Sequence, residues 1–351
     1  MTQFLGYIGT YTKGDSKGIY SFTLDTDAKK LSGVTLAAEL GSPTYVNLSR
    51  DNKFLYAVAK DGDKGGVAAY SVDESGTLTL LNQQISDGGS PCYVDVDSNL
   101  STVAAAYYHD GTSRSFPVLE DGSIGPASSI VQHEGTGPNK DRQDGPHAHY
   151  SGYTPDEKFI AVIDLGIDKL VTYKIGESGK LEEVSSLTLK AGSGPRHLEF
   201  HPNGKWAYLM TELSNEVIAL SYDSGSGSFK ELQYIPAIPS SFTENSQGSA
   251  IHVSRDGKFV YAGNRGHDSI AVFQVNEENG SLSLVEYTST EGSWPRDFEL
   301  DPTEKFLVAS NQESSSLTLY ERDETTGKLT LLQSGVEVPY PVCVKFIKNK
   351  D

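Results

Sequence analysis

Cysteine is nearly absent from this chain: Cys92 and Cys343 are the two among 351 residues. Two thiols cannot build the disulfide framework of a small secreted scaffold. Basic residues are also in deficit, 29 Lys and Arg against 47 Asp and Glu, for a net charge of −18. That balance disfavours nucleic acid and anionic membranes as partners. No apolar run approaches the ~20 residues needed to cross a bilayer. The opening MTQFLGYIGTYT lacks the positive and apolar regions of a secretory leader, so a cytoplasmic protein is expected. No amphipathic helix is legible; short alternating runs such as KFVYAGN, SIAVFQV and SLTLYER dominate instead.

Several catalytic signatures are missing too. GDSKG (14–18) fits G-x-S-x-G in form, but it joins two strand-like runs, whereas a nucleophile elbow needs a strand, a turn and a helix. Ser16 is therefore not expected to be a nucleophile. No H-E-x-x-H or Cys/His cluster occurs, and DGDKGG (61–66) lacks the terminal glutamate of a calcium loop. No catalytic metal and no cofactor are expected.

Glycine (35) and tyrosine (19) are abundant, which suits strands and tight turns. The strongest signal is internal repetition. GSPTYVNLSRDNKFLYAVAK (41–60), GPRHLEFHPNGKWAYLMTEL (194–213), GSAIHVSRDGKFVYAGNRGH (248–267) and SWPRDFELDPTEKFLVASNQ (293–312) share one grammar. A Gly/Ser/Pro lead-in precedes a strand, a polar turn, a Lys-aromatic pair and a second strand. Weaker copies start at Gly89 and Gly145, and a half-copy, PYPVCVKF, starts near Pro339. Each strand pair is followed by two more strands around turns such as GTLTLL or GSLSLV. Four strands repeating every ~40–50 residues mark a β-propeller blade. The chain is thus predicted to be all-β: one seven-bladed β-propeller domain of four-stranded antiparallel blades over residues 1–351. The seventh copy breaks off after one strand, and FLGYIGTYT, GIYSFTLD and LSGVTLAAE can supply its other three. Pairing of the N- and C-terminal strands would close the ring and remove exposed edges. Cys92 and Cys343 then occupy near-equivalent first-strand positions in separated blades and are expected to be buried free thiols.

In such a blade the start of the first strand and the end of the second share a face. His147, His149, Arg196, His197, His252 and Arg296 sit at or near first-strand starts. His109, Glu212, Asn264, Arg265, His267, Asn311 and Gln312 sit at second-strand ends. Six of eight histidines and, with Arg142, four of eight arginines are thereby predicted on one face. RQDGPHAHY (142–150) concentrates the signal, since His147 and His149, two apart on a strand, should point the same way. His133 and His201 lie elsewhere and read as ordinary polar residues.

The segments YIGTYT, RQDGPHAH, GPRHLEFHPNGKWAY, AIHVSRDGKFVYAGNRGHDSI, WPRDFELDP and ASNQ together resemble the seven-bladed lactonase family typified by bacterial 6-phosphogluconolactonase. A more distant resemblance is to fungal carboxymuconate-lactonising enzymes. One departure is Thr211-Glu212, where the family pattern has Asn-Glu. The resemblance implies hydrolysis of a sugar δ-lactone, 6-phosphogluconolactone in the pentose phosphate pathway, with that phosphorylated small molecule as the partner.

A lactone needs an aimed water, a base and a donor for the developing oxyanion. Arg196 and Arg265 suit anion binding or oxyanion stabilisation, with Arg142 and Arg296 assisting, because a guanidinium binds oxyanions bidentately. His149, His147 and Glu212 are the candidate bases. Gln143, His197, His252, Asn264 and Gln312 complete the expected substrate contacts. Bland readings stand beside these. A blade-start arginine can be a structural ion pair, His147 can cap a turn, and Asn264, Asn311 and Gln312 can bond loop backbone. Two other functions fit the same pattern: a lactone-forming cycloisomerase acting on a dicarboxylate, and a non-catalytic propeller scaffold.

Overall fold

Each sequence repeat folds as one antiparallel sheet in the computed structural model, which describes residues 2–176 and 179–347. Seven four-stranded sheets result, and no α-helix occurs among the described residues. The copy that starts at Gly248 shows the pattern: strands Gln247–Val253, Phe259–Arg265, Ser269–Val275 and Leu282–Ser289 lie side by side in chain order. One sheet departs from chain order. There Pro341–Phe346 pairs with Gln3–Thr10, which pairs onward with Gly18–Asp25 and Lys30–Glu39. Gly6 faces Phe346 and Ile8 faces Val344, so the last strand completes the sheet begun by the first three, as predicted.

The repeat grammar has a physical reading in the turns. Ser254 ends one first strand; its backbone nitrogen bonds the Phe259 carbonyl (2.9 Å), and its hydroxyl bonds Asp256 (2.6 Å) and accepts from the Phe259 nitrogen (3.0 Å). Thr154 and Asp156 do the same with Phe159. His201 fills this position in HPNGK: Nδ1 accepts from the Asn203 nitrogen (3.1 Å), and Nε2 donates to the Gly257 carbonyl (2.9 Å). Local side-chain to backbone bonds of this kind fix a turn. His201 is therefore a structural residue.

A tyrosine two residues after the aromatic of the Lys-aromatic pair is a second device. Tyr208 and Tyr261, fully buried in second strands, donate their hydroxyls to the carbonyls of Gly280 (2.9 Å) and Gly327 (2.8 Å), in the outer turns of later sheets. Tyr56 does so to Gly122 (3.0 Å). Gly327 has φ +72, and a Cβ there would lie 2.3 Å from the Phe259 ring. Only glycine allows both the left-handed turn and that approach. Burying each such ring contributes about 1.5–3 kcal/mol, and the satisfied hydroxyl avoids a desolvation penalty.

The chain divides into two compact units. One comprises Met1–Glu39, His197–Ser221 and Glu231–Asp351; the other comprises Leu40–Arg196 and Tyr222–Lys230. In the first, Phe4, Ile8 and Phe22 of the terminal sheet pack with Phe306, Val308 and Leu319 of the preceding one. In the second, Val58, Ala105 and Ile160 are among the fully buried residues of central strands. Neither Cys92 nor Cys343 forms a disulfide, and Cys343 is buried as expected. Cys92 is partly exposed, which corrects the sequence reading; its thiol points to the Ala148 and His149 carbonyls.

Candidate active site

Several first strands begin irregularly, and the irregularity places side chains. Ala148 pairs with Asp164 but Tyr150 with Ile163, leaving His149 as an extra residue. Pro295 pairs with Asn311 but Asp297 with Ser310, leaving Arg296 in the corresponding place. A β-bulge re-aims the extra side chain and recurs beside functional sites. Second strands end equally systematically: the position at or just past their ends carries Tyr11, Tyr108, Glu212, Arg265 and Gln312.

In the unit containing RQDGPHAHY, Tyr108 is the centre. His147 stacks on its ring (centroids 4.4 Å, 14°), and His149 meets it edge-on (5.7 Å, 79°). The two histidines thus share Tyr108 as a neighbour, across a bulge that the expectation of a common direction did not include. His147 Nδ1 donates to the Tyr108 carbonyl (2.9 Å), leaving Nε2 facing Asp144 Oδ1 at 3.0 Å. The bond to His147 is the main influence that holds Asp144 below the usual carboxylate range. Both His147 ring nitrogens are thus engaged, which leaves neither free to act as a base. His149 is buried to 4 % exposure, and Arg142 is half-buried on the loop before them. Arg196, 2 % exposed, follows a lead-in anchored by Asp168, which accepts from the backbone nitrogens of Gly192 (2.7 Å) and Gly194 (2.8 Å).

The other unit carries a buried ion pair. Arg265 Nη2 donates to Glu212 Oε2 (2.7 Å) and to the Gly248 carbonyl (2.6 Å), with the two side chains only 4 % and 3 % exposed. Gly248 permits this because a Cβ there would fall 2.1 Å from the Thr211 carbonyl oxygen. Burial and the nearby Arg296 charge lower the Arg265 pKa, opposed by Glu212 and Tyr11; a guanidinium so shifted stays cationic near neutrality. The guanidinium lies 5.7 Å from the Trp294 ring centroid, and that of Arg296 lies 5.5 Å from Tyr11. The Nε of Arg265 is buried and has no hydrogen-bond partner among the described residues.

Other expected contacts stand elsewhere. His252 pairs with Tyr261 while Gln247 pairs with Arg265, so His252 is at the far end of its strand. Its ring lies 3.9 Å from Glu199 and from Asp297. The expectation placed it at the wrong end because it lies four residues beyond Gly248, most of a strand away. Gln143 is fully buried and holds its own loop: Nε2 donates to the Leu165 carbonyl (2.9 Å) and Oε1 accepts from the Asn139 nitrogen (3.2 Å). Asn264 and Asn311 donate to the loop carbonyls of Ala237 (2.8 Å) and Thr290 (3.1 Å), the bland reading. Gln312 Nε2 bonds Glu313 (2.6 Å). His197 is buried beside Arg196 in sequence, and His267 bonds Ser269 at 2.6 Å. Tyr11, Tyr108 and Trp294 were missed because aromatics near strand ends read as core. Their shared repeat position with Glu212 and Arg265, or next to Pro-Arg, was the available signal. Among the described residues no three His, Cys, Asp or Glu side chains gather as a metal-ligand set.

Seven antiparallel four-stranded sheets are the blades of a β-propeller, with charged and aromatic groups at second-strand ends and at the bulges of two first strands. Residues 5–346 match the family described as lactonase, 7-bladed beta-propeller, and the chain belongs to that family. It is 58 % identical over 348 residues to the 6-phosphogluconolactonase of Bacillus subtilis, covering 99 % of both chains. Among solved structures it resembles a Lactobacillus plantarum protein (TM-score 0.95, 46 % identity, 99 % and 100 % of the two chains). It also resembles the periplasmic gluconolactonase of Pseudomonas aeruginosa (TM-score 0.92, 30 % identity, 98 % and 99 %).

Proposed function

We propose that this protein hydrolyses 6-phosphogluconolactone to 6-phosphogluconate, a step of the pentose phosphate pathway, by base-assisted attack of water without a metal. The observation that carries the site assignment is the buried Glu212–Arg265 pair. The Bacillus subtilis relative, identical at 58 % of aligned positions, supports the substrate. A cytoplasmic location belongs to the same proposal.

In the reaction, a water oxygen bonds the lactone carbonyl carbon while its proton passes to a base. The carbonyl becomes a tetrahedral oxyanion; the ring C–O bond then breaks as the ring oxygen takes the proton back from the base, giving a hydroxyl and a carboxylic acid that releases its proton to solvent. Glu212, paired with Arg265, is the proposed proton acceptor. The Arg265 cation is the proposed stabiliser of the oxyanion's charge, a kind of contribution whose loss costs about 10²–10³-fold. The pair is pre-organised because Gly248 and Glu212 fix the guanidinium before substrate arrives. His149 is the alternative base, and a pH–rate profile distinguishes the two. A limb near the ordinary histidine range that disappears in His149→Ala assigns the proton to His149. The direct test is a coupled assay for 6-phosphogluconate, corrected for spontaneous ring opening. Catalysis above that background is expected, and a rate equal to it sinks the proposal.

A further inference from the structure

The unit that holds Glu212 and Arg265 also gathers cations around an aromatic ring that the proposed chemistry does not use. Tyr11 follows the Gln3–Thr10 strand. Lys13 Nζ lies 5.2 Å from its ring centroid and the Arg296 guanidinium 5.5 Å from it. The two charges are therefore within about a Debye length of each other (~10 Å at 0.1 M salt). Arg296 acts on Arg265 as a like charge, so three cations from three chain segments share one corner of a chain whose net charge is −18. Glu212 compensates Arg265, while Lys13 makes no ion pair among the described residues.

The local structure holds this corner in place. The Thr10 hydroxyl donates to the Gly18 carbonyl (2.6 Å), so the Ser16 hydroxyl, 2.6 Å away, must donate to Thr10. The backbone nitrogens of Lys13 and Ser16 bond the Tyr11 (2.9 Å) and Lys13 (3.0 Å) carbonyls. Ser16 thus shapes a tight loop that presents Lys13, a role far from that of a nucleophile. On the other side, Asp268 accepts from the Trp294 nitrogen (2.8 Å) and Gln312 N–H bonds the Trp294 carbonyl (3.1 Å), fixing the lead-in to the bulged Arg296. Burial grades across the group: Arg265 is buried, Arg296, Tyr11 and Trp294 are half-buried, and Lys13 is exposed.

That gradient suits the two ends of a phosphorylated lactone. The reacting ester gains from a desolvated donor. A phosphate monoester, with a charge of about −1.5 to −2 at pH 7, is strongly hydrated and is held best by several partly solvated cations, with arginine providing paired donors. Resting on the function proposed above, we infer that Arg296 and Lys13, whose charges lie 5.5 and 5.2 Å from the Tyr11 ring centroid, form the subsite that recognises the phosphate and selects phosphorylated over unphosphorylated lactones.

The test compares wild type, Arg296→Met, Arg296→Lys, Lys13→Met and the Arg296→Met/Lys13→Met double variant, with melting curves to verify folding. The ratio of kcat/KM for 6-phosphogluconolactone to that for glucono-δ-lactone is expected to fall about tenfold per lost charge, the scale of one charged contact. The loss should lie mainly in KM, and Arg296→Lys should recover part of it. Inorganic phosphate, titrated by calorimetry, should bind wild type at least tenfold more tightly than the double variant. The phosphate titration reads the subsite even if wild type hydrolyses neither lactone, the result that would fail the function alone. An unchanged substrate ratio, or equal phosphate binding by wild type and double variant, overturns the inference.

Discussion

Asp164 joins His147 to His133. One carboxylate oxygen accepts from the His147 backbone nitrogen at 2.7 Å, and the other lies 2.7 Å from His133 Nδ1. The first oxygen also accepts from the Gly166 nitrogen (3.0 Å), and His133 Nε2 reaches the Tyr173 hydroxyl (3.0 Å). His133 is therefore a buried positioning residue that acts through Asp164, where the sequence suggested an ordinary polar one.

Substituting Asp164→Asn replaces one acceptor oxygen by a donor inside a fully buried network. A destabilisation of about 3 kcal/mol is expected, the scale for breaking a buried charged contact, and it is measurable by denaturant unfolding. His133→Gln, which keeps a donor, should cost less. Equal stability of Asp164→Asn and wild type would mean that the carboxylate does not hold the His147 segment.

A second prediction concerns pH. Burial opposes charge on His252, but Glu299, Asp297 and Glu199 outweigh it and raise its pKa above 6.5, with Lys345 opposing. Asp297 is held below 3.8, because the His252 bond, Lys345 and the Val344 N–H outweigh its burial. The histidine's contribution to stability is complete below its unfolded pKa of 6.5 and is lost as pH rises through the raised folded value. The carboxylate's contribution is complete above 3.8 and is lost as pH falls through the depressed one. Melting temperature should thus decline on the alkaline side of 6.5, and His252→Gln should flatten that decline. The same slope in both proteins would contradict this.

Truncation supplies a third. Removing residues 340–351 deletes the Pro341–Phe346 strand and exposes the edge of Gln3–Thr10. The truncated chain should melt lower and associate, because an unpaired edge templates further pairing. A monomeric product with unchanged melting would show that this pairing is dispensable.

Chelation is a fourth. Activity on 6-phosphogluconolactone should survive exhaustive EDTA treatment, since the proposed chemistry uses Glu212 and Arg265. Loss on chelation with recovery on adding a divalent ion would show that a metal participates.

The fold was legible because its devices are local in sequence. Turn residues such as Ser254 and Asp256, the Lys-aromatic pair and glycines such as Gly327 recur in order, and each copy reports the same four strands. The site was legible only in part. Glu212 and Arg265 stood out as charged residues at corresponding strand ends, and they pair in the structure. The bulges at His149 and Arg296 left no mark in the alternation, because an extra residue is accommodated by backbone register. His252 was misplaced for a related reason, its distance along the strand being invisible without pairing. Tyr11 and Trp294 were hidden by chemistry, since an aromatic that flanks a cation and one that fills a core look alike in sequence.

The most direct measurement is kcat/KM on 6-phosphogluconolactone for Glu212→Gln and Arg265→Met, beside the control His201→Ala and with melting curves for each. The account predicts losses of about 10²-fold or more in the first two, the scale of one acid–base or oxyanion contact, with near-wild-type catalysis in the control. Full activity in Glu212→Gln, or a His201→Ala variant as inactive as the others while still folded, would contradict it.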